Sequence, residues 1–206
     1  MTSIGRRSEH VARIRLSCVA LVFLGSFALP GCTGGIHRQG EHQILLTGTY
    51  GRPIKGETIW HDGEGRAENA SVTLGYNYFL KDRGALMVAL SPYKLYNQID
   101  GDRYAGEFQM GFRYYFWEFD LADRPVGLYA ELLGGLFYAA HSIPEDGSNF
   151  NFTQDTGVGF EWQLADNVSW VTGYRFKHLS NGNFSNDSNP AQNDHQVYTG
   201  IAITLP

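Results

Sequence analysis

The chain lacks the cysteines for a disulfide framework. Its two cysteines are Cys18 and Cys32, and Cys18 falls in a segment that reads as a cleaved leader, so no bridge is left for the mature protein. It also lacks a comfortable membrane helix. The one apolar run, "LSCVALVFLGSFALPGC" from Leu16 to Cys32, is short and is broken by Pro30. Charge is sparse, 18% of residues with a net of −5, which excludes an acidic disordered chain and argues against nucleic acid as a partner. No long helical period, phosphate-binding glycine loop or metal-spaced Cys/His cluster interrupts the sequence. What is abundant is glycine, 25 residues, and aromatic side chains, 14%. That combination suits a β-rich chain with tight turns.

The N-terminus has the layout of a secretory signal. Arg6, Arg7, Arg13 and Arg15 precede the apolar run. The expected organisation is a leader at 1–31, a linker at 32–42 and one domain at 43–206. "LPGC", Leu29–Cys32, resembles a bacterial lipobox, which makes Cys32 a candidate for acylation; ordinary signal cleavage nearby is the other reading.

Beyond the linker the pattern alternates. In "YAGEFQMGFRYYFW", Tyr104–Trp117, one face carries Tyr104, Phe108, Met110, Phe112, Tyr114 and Phe116. The other carries Glu107, Gln109, Gly111, Arg113, Tyr115 and Trp117. About eight such segments recur, near 43–51, 67–80, 84–97, 104–118, 126–140, 150–164, 168–181 and 195–205. Each is about ten residues long, the length of a tilted strand that crosses a bilayer. The expected fold is an all-β, eight-stranded, antiparallel up-and-down transmembrane barrel. The polar faces hold Glu107, Arg113, Glu131, Asp155, Glu161 and Arg175, charges that can pair and fill a narrow lumen. The apolar faces are too bulky to share an eight-stranded interior, so they face lipid. "GRPIKGETIWHDGEGRAEN" (Gly51–Asn69) and "SIPEDGSNFNF" (Ser142–Phe152) read as loops. Asp62, Glu64, Glu145 and Asp146 read as ordinary acidic loop residues.

One stretch breaks the apolar outer face. In "TGYRFKHLSNGNF", Thr172–Phe184, parity places Arg175 and Lys177 in the lumen and His178 and Ser180 outside. Residues at i and i+2 lie about 7 Å apart at the backbone, within reach of an imidazole and a hydroxyl. The pair is either a polar strand end among lipid headgroups or a hydrolase site.

"RFKHLSNGNF…NPAQND" resembles the signature of outer-membrane lipid A 3-O-deacylases, the PagL-type family. Arg175, His178, Ser180, Asn181 and Gly182 match in order, and Asn189 and Pro190 match the second half. The resemblance implies a serine esterase with lipid A of lipopolysaccharide as its partner in the outer membrane, working with no cofactor and no metal. Ser180 would be the nucleophile and His178 the base. Asn181, Gly182 and Asn189 would support the oxyanion or the loop. The family's third member is an acid that orients the histidine. Here Asp194 is the first candidate, reached through a bulge, and Asn193 is the alternative that shares the outward parity. A family glycine is replaced by Ala191, a source of strain if that backbone is left-handed. Two other readings stay open: a catalytically inert structural barrel, and a soluble lipocalin-like carrier. The sequence does not fix the oligomeric state.

Overall fold

The computed structural model describes residues 35–206, apart from 57, 59–64, 99–100, 145–146 and 185–189. Expectations for the leader, Cys32, Asn189 and the four acidic loop residues lie outside the described residues. Eight strands close into an antiparallel barrel in which β8 returns to β1. They are β1 (His42–Ile54), β2 (Glu68–Lys81), β3 (Gly84–Tyr96), β4 (Arg103–Leu121), β5 (Arg124–Ile143), β6 (Ser148–Ala165), β7 (Val168–Ser180) and β8 (Gln192–Thr204).

The strands alternate buried and exposed residues; the exposed set is largely apolar, and the buried set holds the charged residues together with apolar clusters such as Met87, Ala89 and Leu133. Leu74 is 56% exposed and Leu90 57%, whereas Glu131, Glu161 and Asp155 are fully enclosed. A protein dissolved in water would be inside out with this pattern; in lipid it is the favourable arrangement. This rules against the lipocalin-like carrier. Tyr76, Tyr78 and Trp170 mark one edge of the apolar band, and Tyr50, Tyr104 and Tyr138 mark the other, as aromatic residues do at membrane interfaces.

The connections differ between the two ends. Asp82–Arg83, Ala122–Asp123 and Asp166–Asn167 are two-residue turns, and residues 55–67, 97–102, 144–147 and 181–191 are longer connections. Short turns face the periplasm in such barrels and longer loops face outward. Some loops are shorter than their composition suggests. β5 runs to Ile143 and β6 starts at Ser148, so only 144–147 connect them. Likewise β1 extends to Ile54 and β2 starts at Glu68.

Parity fails in β4. Trp117, expected in the lumen, is 63% exposed. The register between β4 and β5 slips between Tyr115 and Trp117. Phe116 is the extra residue of a bulge, and every side chain after it changes face.

Three polar layers stand out in the lumen. In the middle, Glu131 accepts hydrogen bonds from Arg113 Nη2 at 2.9 Å, Arg175 Nε at 2.6 Å and Tyr198 Oη at 2.8 Å. Glycines make room for the tyrosines: a Cβ on Gly159 would lie 2.7 Å from the Tyr129 hydroxyl, and one on Gly173 2.5 Å from that of Tyr198. Nearer the loops, Lys177 pairs with Glu107 and, at 3.2 Å, with Asp155. Tyr93 Oη donates to Glu107 at 2.7 Å and Gln109 Nε2 to Asp155 at 2.8 Å. These contacts satisfy the carboxylates on several sides, the condition for keeping charge out of water.

The third layer uses a residue from the expected linker. His37 is buried at the short-turn end, stacked on Phe79 at 4.0 Å. Its Nδ1 meets Glu41 Oε2 and its Nε2 meets Glu161 Oε1, each at 3.2 Å. Gln43 Nε2 also donates to Glu161, at 2.8 Å, and the Tyr115 hydroxyl at 2.6 Å. Part of the stretch expected as a linker therefore plugs the barrel mouth. Burial alone would lower the His37 pKa, but the charge of Glu161 and hydrogen bonds to Glu161 and Glu41 outweigh it and push it up to about 9. The folded value exceeds the ordinary 6.5, so this contribution is full below about pH 6.5 and is lost as pH rises through about 9. Protection of the Ile36–Glu41 amides, relative to their intrinsic exchange rate at each pH, is expected to fall between pH 7 and 10. In His37→Gln it should be low at every pH.

Candidate active site

β7 and β8 pair without a bulge, and His178 lies directly opposite Asn193. Side chains opposite one another in a ladder share a face, and Ser180 is on that face two residues further along β7. The three meet on the outer wall at the long-loop end. His178 Nδ1 lies 2.7 Å from Asn193 Oδ1, and His178 Nε2 lies 3.1 Å from Ser180 Oγ. An amide oxygen can only accept, so Nδ1 carries the ring proton and donates it to Asn193. Nε2 is then the bare nitrogen and accepts from the serine hydroxyl. A neutral imidazole in this tautomer is what a general base requires.

Asp194, the first candidate for the third position, faces the other way. It is buried in the lumen, where Asn69 Nδ2 and Gln192 Nε2 each donate to it at 3.0 Å. The expected bulge is absent, and strand parity turns Asp194 inward for the reason that it turns Asn193 outward. Asn193 is therefore the side chain on the histidine ring.

Thr58, in the loop after β1, was not visible as a site residue in the sequence. Its Oγ1 accepts a hydrogen bond from Asn193 Nδ2 at 3.1 Å. No local motif marks it, because the contact spans 135 positions of sequence. Arg175, the first residue of the motif, is not at the site; it pairs with Glu131 in the lumen, as parity implied.

Asn181 follows the serine and is buried. Its Oδ1 accepts from the Asn183 amide at 3.0 Å, and its backbone oxygen accepts from Phe184 at 3.1 Å. Gly182 and Asn183 both adopt left-handed backbone, with φ of 63° and 58°. A side chain at Gly182 would carry that conformation at a cost. Ala191 is not among the left-handed residues, so the exchange for the family's glycine brings no backbone strain there. Beside the serine, Phe152 lies opposite Ser180 and packs edge-on against Phe150 at 5.4 Å and Phe184 at 6.2 Å. The hydroxyl thus sits at the boundary between an apolar outer wall and the polar loops.

The family model for lipid A 3-O-deacylase (PagL) matches residues 58–202. Among solved structures, the outer membrane enzyme PagL is similar, with a TM-score of 0.54 and 16% identity over 78% of this chain and 99% of that one. Neisserial surface protein A (NspA) has a TM-score of 0.53 and 15% identity over 80% of this chain and 97% of that one. No curated protein matches the sequence. At these identities the two structures speak for the fold, a closed eight-stranded outer-membrane barrel. Family and architecture together locate the protein in the outer membrane. The family match spans well over half of the sequence, and the chain belongs to the lipid A 3-O-deacylase (PagL) family.

Proposed function

We propose that this barrel is a serine esterase that removes the 3-O-linked acyl chain of lipid A. The observation that carries the reading is His178 held between Asn193 and Ser180 on the membrane-facing wall, at 2.7 and 3.1 Å. Ser180 Oγ attacks the ester carbonyl carbon while its proton passes to His178 Nε2. The tetrahedral intermediate carries its negative charge on the former carbonyl oxygen, near the Asn181–Gly182 turn, where backbone amides can donate to it. Its collapse breaks the bond to the sugar oxygen, which takes the proton back from His178. Water then attacks the acyl-serine, giving its proton to the same nitrogen. The fatty acid leaves and Ser180 is restored.

The location suits a lipid substrate. The acyl chain can lie against Phe150, Phe152 and Phe184 while the ester meets the rim, so the lipid need not leave its leaflet. Asn193 orients the imidazole but cannot neutralise the imidazolium as a carboxylate would. Turnover is accordingly expected to be modest. Asn193→Asp is expected to raise kcat, and Asn193→Ala to lower it by about 10²-fold. Asp194→Asn, altered in the lumen, should stay within about twofold of the unmodified protein. Covalent labelling by a fluorophosphonate tests the nucleophile. Label is expected on Ser180 and absent in His178→Ala; a barrel that is folded yet never labelled would support the inert structural reading.

A further inference from the structure

The second contact of Asn193 matters because Asn193 is an amide. A carboxylate at this place could only accept hydrogen bonds, so the polarity of the array would be built in. An amide has an accepting end and a donating end. With Oδ1 on the ring, Nδ1 holds the proton and Nε2 is free to take the proton of Ser180. With Nδ2 on the ring, Nδ1 must be the bare nitrogen. Nε2 would then hold the proton and donate it to the serine, and the ring could not act as a base. The series Ser180–His178–Asn193–Thr58 thus has two directions, and one of them is competent.

We infer that Thr58 is a positioning residue. Its hydroxyl oxygen accepts from Asn193 Nδ2 at 3.1 Å, and this bond steadies the amide in the orientation that has Oδ1 on the His178 ring. The backbone makes this contact natural. Ile54, at the end of β1, pairs with Asn193, so the loop leaves the sheet beside the amide and four residues later presents Thr58 to it. Thr58 acts through Asn193 and does not meet the reacting ester. The inference rests on the reading of Ser180 and His178 as nucleophile and base.

The test is a set of full-length barrels folded in detergent and assayed for lipid A deacylation. Thr58→Val and Thr58→Ser are compared in the native background and in Asn193→Asp, with Ser180→Ala alongside. In the native background, Thr58→Val should lower kcat by roughly 5–10-fold, the effect of one hydrogen bond, with KM unchanged. Thr58→Ser should restore it. In the Asn193→Asp background the same Thr58→Val change should matter less than about twofold, because either carboxylate oxygen accepts from the ring. Equal losses in both backgrounds would make Thr58 merely structural and overturn the inference. So would an unaffected Thr58→Val beside an inactive Ser180→Ala. An active Ser180→Ala would overturn the hydrolase reading itself, and the role of Thr58 with it.

Discussion

Alanine at Ser180 or at His178 is expected to remove deacylation almost entirely, and the double substitution should be no worse than either single. The two atoms that would exchange the proton are 3.1 Å apart, and a nucleophile without its base, or a base without its nucleophile, has no partial route. In serine hydrolases whose residues act as a unit, either loss costs on the order of 10⁶-fold in kcat. The fold should be unaffected. Both residues lie at the loop end of β7, outside the ion-pair network of the lumen, so heat-modified migration on gels should match that of the unaltered barrel. Modest losses that add together would mean that the pair only shapes the surface.

The largest expected effect on stability is at Glu131. Its two oxygens receive Arg113, Arg175 and the Tyr198 hydroxyl, and all three charged groups are buried. Arg113 also lies over the Tyr129 ring at 4.0 Å, and its Nη1 makes no hydrogen bond among the described residues. Glu131→Ala would leave two guanidinium groups enclosed without their anion, at an expected loss of about 3–5 kcal/mol. The midpoint of urea unfolding in detergent should fall accordingly. Glu131→Leu combined with Arg113→Met and Arg175→Met should recover most of that loss, because an apolar replacement of a whole buried ionic group is often close to neutral. Equal stability of Glu131→Ala and the unaltered barrel would mean that water reaches the middle layer.

The architecture was legible because a membrane barrel writes its two environments into alternate residues. Glu107, Arg113, Glu131, Asp155, Glu161 and Arg175 are all buried, as parity implied. Parity failed at Trp117 because a bulge arises from how β4 pairs with β5, which the residues around Phe116 do not announce. The third site residue shows two arguments in conflict. Chemistry favoured the carboxylate of Asp194 and strand geometry favoured Asn193; the register, without a bulge, sets Asn193 beside His178 and turns Asp194 inward. Thr58 and His37 were out of reach for a different reason. Each is placed by a partner far along the chain, Asn193 for one and Glu161 for the other, and neither belongs to an alternating run.

The most direct measurement is the mass of lipid A after incubation with the purified, detergent-folded barrel. Lipid A is expected to lose one 3-O-linked acyl chain, the matching free fatty acid to appear, and both changes to be absent with Ser180→Ala. Lipid A of unchanged mass after incubation with a folded barrel, or the same loss of mass with Ser180→Ala, would contradict the proposed function.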